Sequence, residues 1–179
     1  SGVDRLSEGL HGRRPRAPGP VRARLAGRRS EEALTIARPR PGAIVRYLLD
    51  TNICIYLIRR HPPAVLERFR GLARGDVGMS AVTLAELRHG VEAMATEREQ
   101  ASQALAELLA YIPAQPFDVE AAASYGVLAA AVRHRRRDAL DRLIAAHAIR
   151  LDTTLVTNNE SDFAGYPGLR IENWARAAN

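Results

Sequence analysis

The sequence is poor in cysteine, in aromatic residues and in long apolar stretches. Its single cysteine, Cys54, excludes a disulfide within the chain and predicts a buried thiol in a reducing cytoplasm. No apolar run approaches the roughly 18 residues that span a bilayer, so we expect no membrane partner. A glycine-rich phosphate loop and a Ser/His/Asp arrangement are also missing.

Lysine is absent as well, so all 26 basic side chains are arginine. The net charge of +6 and the pI near 10.4 are typical of proteins that bind nucleic acid. The excess lies entirely in residues 1–45, which hold ten arginines and four acids. Because residues 46–179 carry equal numbers of arginines and acids, the overall pI is weak evidence for a nucleic-acid partner.

Residues 1–44 are rich in Arg, Pro and Gly and hold hardly any large apolar side chain. Such a segment cannot bury enough surface to offset its ordering entropy, so we expect it to be disordered. Three interpretations are open: an RNA-binding arm, an organellar transit peptide, and sequence upstream of a true start near Val45. We favour the last, and we expect the folded domain over residues 45–179.

From Val45 onward, short apolar runs alternate with amphipathic segments. The best-defined run ends at Asp50, after which we expect Thr51 or Asn52 to cap a helix. This alternation predicts an α/β fold with three α/β/α layers around a mostly parallel sheet. The strands are predicted near 45–49, 77–79, 113–117, 154–156 and 169–173. Helices are predicted over 64–73, 80–94, 97–112, 119–134 and 139–150.

Three acids stand at strand ends or near helix starts, namely Asp50, Glu86 and Asp141, while Asn159 and Asp162 follow the fourth strand. In a doubly wound sheet, the loops at the carboxyl ends of the strands open onto one rim, where ligands bind. Two carboxylates about 4 Å apart repel by about 4 kcal/mol at an effective dielectric of about 20, so converging acids need a counter-ion. Oxygen ligands favour Mg²⁺, with Mn²⁺ as the alternative, and the lack of a Cys/His cluster disfavours zinc.

Each acid also has a purely structural interpretation. Asp50 can cap the first helix, Glu86 can be a solvated acid on a helix flank, and Asp141 can pair with a neighbouring arginine. Asp138 lies three residues before Asp141 and competes with it for the role of third acid. We take Asp138 as the helix N-cap and Asp141 as the ligand. His147 is expected to be a hydrogen-bonded core histidine.

Four stretches follow one another along the chain: YLLDTNICIYLI, SAVTLAELRHGVE, DRLIAAHAIR and TLVTNNESDFAGYPGLRIENW. Together, from about Val45 to Trp174, they resemble the PIN-domain ribonucleases, specifically the VapC toxins of bacterial toxin–antitoxin pairs. The resemblance implies a parallel sheet of about five strands. It also implies an Mg²⁺- or Mn²⁺-dependent endoribonuclease that cuts tRNA or rRNA, forms a homodimer and is neutralised by a VapB-type antitoxin.

The resemblance also assigns residues by motif. The catalytic and metal-binding acids it implies are Asp50, Glu86 and Asp141. The supporting hydroxyls and amides it implies are Thr51, Asn52 and Thr157. Asn159 falls where many relatives have an aspartate, so a second metal would be held weakly, with Asp162 as a nearby substitute.

A basic cluster precedes the third acid and is a candidate for binding the RNA backbone or an acidic antitoxin segment. Its members are Arg133, Arg135, Arg136 and Arg137, and their alternative role is a solvated helix end. The same segment lacks the turn that often precedes the third acid in the family. Together with Asn159, this leaves open a catalytically inactive PIN-like module that binds RNA or protein. A haloacid-type phosphatase is disfavoured, because Asn52 stands where that chemistry needs a second acid.

Overall fold

A computed structural model describes residues 45–133 and 139–176 of the chain. The strands are β1 (Tyr47–Leu49), β2 (Val77–Ser80), β3 (Ala114–Gln115), β4 (Thr154–Val156) and β5 (Arg170–Glu172). The helices are α1 (Thr51–Arg59), α2 (Pro63–Arg70), α3 (Ala81–Glu92), α4 (Arg98–Tyr111), α5 (Val119–Ala131), α6 (Ala139–Arg150) and α7 (Glu160–Phe163). The strands form one sheet in the order β3-β2-β1-β4-β5, and all four pairings are parallel.

The central strand β1 separates two hydrophobic cores. Successive side chains of a strand point to opposite faces of its sheet. Leu48 accordingly packs with one buried cluster, which includes Ile144 of α6. Tyr47 and Leu49 pack with the other cluster, which includes Ile53 of α1. Helices therefore cover both faces of the sheet, and the predicted three-layer α/β/α fold is confirmed.

The order of the strands reverses at β1. The chain runs from β1 to β2 and β3 on one side and then crosses to β4 and β5 on the other. In open α/β sheets, ligands bind in a crevice at such a reversal. The crevice lies at the carboxyl ends of the two strands on either side of it. Asp50 follows β1 and Thr157 follows β4, so both residues lie at this crevice.

Local capping agrees with the sequence pattern at two helices and differs at a third. Ser80 caps α3 and Asp118 caps α5, as a short polar residue just before an amphipathic run predicts. The expectation that Thr51 or Asn52 caps the first helix is wrong, because Asp50 has the extended backbone of an N-cap residue. Its carboxylate accepts the backbone N–H of Thr51, so α1 begins one residue earlier than expected.

Several element boundaries differ from the sequence-based prediction. Helix α2 ends at Arg70, and the third strand is confined to Ala114–Gln115. Helix α7 is a short helix in a polar stretch where the sequence pattern predicts none. Residues 1–44 and 134–138, which include the predicted disordered extension and three of the clustered arginines, lie outside the described residues. Within the described ranges, no helix is both long enough and apolar enough to cross a membrane.

Candidate active site

Asp50 lies at the point where β1 ends and α1 begins, and its side chain is only 5% exposed. One carboxylate oxygen, Oδ1, accepts the backbone N–H of Thr51 at 2.7 Å. The other, Oδ2, accepts the hydroxyl of Thr157 at 2.9 Å. The parallel pairing of β1 with β4 brings Thr157 to this position, because the two strands end side by side. Both oxygens of a buried acid are thus held by neutral donors.

The surroundings of Asp50 favour its protonated form. Burial raises the pKa of this carboxyl above its ordinary value. The hydrogen bonds from the Thr157 hydroxyl and the Thr51 amide lower it in part, and the nearby Asp162 carboxylate raises it further. A cation beside Asp50 would reverse this balance by stabilising the ionised form.

Glu86 is linked to Asp50 through Thr51. The Thr51 hydroxyl donates to Glu86 Oε2 at 2.6 Å, while the Thr51 amide donates to Asp50. Helix α3 is held in place for this contact because the Thr83 hydroxyl donates to the Leu49 carbonyl of β1 at 3.5 Å. Burial raises the pKa of Glu86, the Thr51 hydrogen bond lowers it in part, and the Asp50 carboxylate raises it again. Glu86 is therefore a partly buried neighbour of Asp50, and the solvated-flank interpretation is wrong.

Asp162 joins these two acids from α7. The Asn159 backbone N–H donates to the Thr157 hydroxyl oxygen at 3.0 Å, which places the start of α7 against the end of β4. The Asn159 side-chain amide donates to Asp162 Oδ2. Asp162 acts on the pKa of Asp50, so its charge lies near the buried carboxylate. An amide at 159 thus orients an acid at 162.

Asp141 lies in the first turn of α6 and is partly buried. Helix α6 packs against α3, β4 and α7, which are the elements that carry or precede Glu86, Thr157 and Asp162. Within residues 45–133 and 139–176, no three His, Cys, Asp or Glu side chains are arranged to hold a metal ion. The convergence of Asp141 on Asp50 stays a prediction, and Asp138 lies outside the described residues.

The donor set nevertheless fits one kind of metal. Asp50, Glu86 and Asp162 offer carboxylate oxygens, and no arginine of the described ranges forms an ion pair with any of them. Buried or half-buried carboxylates without a cationic partner are costly unless a cation compensates them. Oxygen donors of this type suit Mg²⁺ and Mn²⁺ rather than zinc.

The model of the PIN domain family matches residues 47–169, which is more than half of the chain. Ribonuclease VapC2 of Rickettsia felis is 36% identical over 131 residues, covering 72% of this chain and 97% of the relative. The chain belongs to the PIN-domain family, among the VapC ribonucleases.

Other relatives agree with this assignment. The tRNA(fMet)-specific endonuclease VapC of Shigella flexneri is 36% identical over 135 residues, covering 74% of this chain and 100% of the relative. The crystal structure of VapBC2 from Rickettsia felis bound to a promoter DNA fragment matches with a TM-score of 0.66 and 35% identity, over 72% of this chain and 98% of that one. The crystal structure of DNA-bound VapBC from Salmonella typhimurium matches with a TM-score of 0.67 and 31% identity, over 73% and 98%.

The other predicted site residues of this PIN domain are Asn52 and the four clustered arginines. Asn52 is exposed in the first turn of α1. Arg133 is exposed just beyond the end of α5, while Arg135, Arg136 and Arg137 lie outside the described residues. These arginines stay candidates for binding the RNA backbone or an antitoxin.

Two features of the PIN domain site escaped the sequence analysis. The first is α7, whose only apolar anchor is Phe163 after a run of polar residues. The second is the link between Asn158 and Tyr56, in which the Asn158 amide donates to the Tyr56 hydroxyl at 2.7 Å. This bond joins the segment after β4 to α1, but no spacing rule connects residues so far apart in sequence.

Proposed function

We propose that this VapC-type PIN domain is the toxin of a toxin–antitoxin pair, an Mg²⁺-dependent endoribonuclease that hydrolyses phosphodiester bonds in tRNA or rRNA. One observation carries the proposal: Thr51 links Asp50 to Glu86 at the sheet reversal, Asp162 lies near Asp50, and neutral groups rather than arginines of the described residues hold these acids. The acids on the opposite edge of the same sheet are paired with arginine. Asp50, Glu86 and Asp162 thus remain available to a divalent cation.

Asp50 and Glu86 would hold the ion, with Asp162 taking the place of the aspartate that relatives have at position 159 and Asp141 completing the set. A divalent ion held by carboxylates lowers the pKa of bound water and neutralises charge on the phosphate under attack. Thr51 and Thr157 fix the orientation of the two buried acids through their hydroxyls. Attack of water in line on phosphorus would break the bond to the 3′ oxygen and leave 5′-phosphate and 3′-hydroxyl ends.

The RNA substrate is tested with the purified full chain and labelled tRNA(fMet), which is the substrate named for the Shigella flexneri relative. We expect cleavage with Mg²⁺, with Mn²⁺ as a substitute, and none in EDTA. Ribosomal RNA is the parallel substrate. Cleavage that survives EDTA, or that survives the Asp50→Asn substitution, would contradict a metal-dependent reaction at this site.

The proposal includes two protein partners, a VapB-type antitoxin and a second copy of the chain. The solved relatives include toxin–antitoxin complexes such as VapBC2 of Rickettsia felis, which supports the antitoxin. Co-purification with the product of an adjacent short reading frame, and the loss of cleavage when it is added, test this partner. Light scattering of the full chain tests the homodimer, for which we expect twice the chain mass of 19.6 kDa.

The second candidate is a catalytically inactive PIN-like module that binds RNA or protein. Asn159 favours it, because an amide stands where the family resemblance implies an aspartate. The two candidates differ in one measurement: the inactive module would bind labelled tRNA with the same affinity in Mg²⁺ and in EDTA and would leave it intact.

A further inference from the structure

His147 lies on α6 and is completely buried. Its Nδ1 atom lies 2.9 Å from the hydroxyl oxygen of Ser80, which is also completely buried. Burial lowers the pKa of His147, although Asp118 and the Pro116 carbonyl act in the opposite direction and Arg150 adds to the lowering. The ring therefore forms a buried polar contact, as predicted for a core histidine.

Ser80 stands at a junction that matters for the acids. It is the last residue of β2 and the N-cap of α3, and its hydroxyl oxygen accepts the Val82 backbone N–H at 3.1 Å. Helix α3 carries Glu86, two turns beyond this cap. The contact between Ser80 and His147 thus joins the start of the Glu86 helix to the helix that carries Asp141.

The other buried side chains that α6 itself contributes are mostly small and apolar. Ala145, Ala146 and Ala148 are completely buried beside Ile144. Burial of apolar surface is not directional, so small side chains of this kind specify the register of a helix less strictly than a hydrogen bond does. A hydrogen bond is directional and loses strength steeply with misalignment. His147 and Ser80 supply one such directional contact between α6 and the start of α3, and Phe117 packs edge-on against the His147 ring at 5.4 Å between ring centres.

We infer that His147 is a positioning residue, which through Ser80 sets the register of α6 against α3 and so the placement of Asp141 relative to Glu86. This inference rests on the proposed function, because it concerns the cation site that those acids would form. A slide of α6 by one residue would move Asp141 by about 1.5 Å. Misplacement of about 1 Å is enough to cost about 100-fold in rate at a catalytic centre.

The test compares two substitutions of similar size in the full chain, His147→Asn and His147→Leu. The Asn amide reaches the place of Nδ1 and retains a hydrogen bond to Ser80, whereas Leu cannot. Three quantities are measured: Mn²⁺ affinity by electron paramagnetic resonance, kcat and KM for labelled tRNA, and the unfolding temperature. Contacts to groups that orient metal ligands typically account for about 10–100-fold in affinity or activity.

We expect His147→Leu to weaken Mn²⁺ binding about tenfold and to lower kcat with little change in KM. His147→Asn should restore most of both, even if it unfolds at the same or a lower temperature than the Leu variant. A merely structural role predicts the reverse order, since Leu suits an apolar interior better than Asn. Equal Mn²⁺ affinity in the two variants, or affinity that follows the unfolding temperature, would overturn the inference.

Ser80→Gly provides the same test from the other side of the contact. It should by itself weaken Mn²⁺ binding about tenfold, so it serves alone if His147→Leu does not fold, and unchanged Mn²⁺ affinity would overturn the inference. Glycine is accepted at helix N-caps at small cost, so the substitution removes the hydroxyl and spares the helix start. We expect His147→Leu to cause no further loss of Mn²⁺ affinity in the Ser80→Gly background, and additive losses would overturn the inference. If the unaltered chain neither binds Mn²⁺ nor cleaves RNA, the proposed function fails and the inference falls with it. If the unaltered chain does both and the variants match it, the inference alone fails.

Discussion

Aspartates lie at both edges of the sheet, and Asp50 at the carboxyl edge differs in its partners from the aspartates at the amino edge. At the amino edge, Asp76 pairs with Arg46 at 3.5 Å, and Asp152 pairs with Arg170 at 2.7 Å. At the carboxyl edge, Asp50 and Glu86 receive hydrogen bonds from Thr51 and Thr157, and neither pairs with an arginine of the described residues. Two other acids that follow strands at this edge, Asp118 and Glu160, do pair with arginine. The comparison separates acids that the fold neutralises from acids that it keeps available for a ligand.

The ion pairs at the amino edge have a structural role. Asp76 is 4% exposed, and its carboxylate also accepts the Ala73 backbone N–H at 3.1 Å. Its charge is satisfied without any further group. The Asp50 carboxylate is as deeply buried, but it has no cationic partner among the described residues. Burial and the Asp162 charge therefore raise its pKa. Its ionised form is thus a cost to the folded protein, which a bound cation would remove.

The largest predicted effect is on catalysis at the carboxyl edge. Asp50→Asn should lower RNA cleavage by about 10³-fold or more, because the ion supplies several kcal/mol of charge stabilisation that this carboxylate anchors. The rate is measured by single-turnover cleavage of labelled tRNA. Asp76→Asn is the matched control from the amino edge and should leave the rate unchanged. A similar loss in both variants would show that the two edges do not differ in function.

The next effect concerns Asp162, which is the nearby substitute for the aspartate that the family resemblance implies at position 159. Asp162→Asn should weaken Mn²⁺ binding about tenfold, since it removes a carboxylate whose charge reaches Asp50. Asn159→Asp should strengthen Mn²⁺ binding, and titration calorimetry measures both. Asp152→Asn, on the opposite edge, is the control. If Asp162→Asn binds Mn²⁺ like the unaltered chain, Asp162 is not part of the cation site.

Stability should change in opposite directions at the two edges. Asp50→Asn should raise the free energy of unfolding of the metal-free protein by about 1 kcal/mol, because it removes a buried charge that lacks a cation. Asp76→Asn should lower it by about 1 kcal/mol, because it weakens a buried acceptor and its pair with the half-exposed Arg46. Urea denaturation in EDTA measures both values. Destabilisation by Asp50→Asn would contradict the direction of its pKa shift.

The smallest effect is on the pH dependence of stability. In the metal-free protein, the pKa of Asp50 is higher in the folded state than in the unfolded chain, so the folded state binds more protons in the interval between them. The contribution of Asp50 to the free energy of unfolding therefore falls as the pH rises through that interval from about 4. Saturating Mg²⁺ should flatten this slope, and so should Asp50→Asn. An identical slope with and without Mg²⁺ would argue against cation binding at this edge.

Local patterns were enough to predict most of the framework. The alternation of strands and helices predicted three layers, since apolar periodicity and capping act over a few residues. Ser80 and Asp118 are capping residues because a short polar side chain reaches a backbone N–H two or three residues ahead. The same locality explains the error at the first helix, where Asp50, Thr51 and Asn52 are all acceptable caps and only the backbone conformation selects the first.

The sequence by itself determined the family, the strand that ends in Asp50 and the helix that carries Glu86, because short-range apolar and capping patterns specify each of these. Only the tertiary structure decided which side chains meet. The contacts of Thr51 with Glu86 and of Thr157 with Asp50 join residues 35 and 107 positions apart. The first exists because β2, which leads into the Glu86 helix, pairs with β1, and the second because β4 pairs with β1. The position of Asp162 near Asp50 follows from the same pairing, since α7 starts where β4 ends. The order of the strands in the sheet brings distant polar groups together, and no short sequence pattern specifies that order.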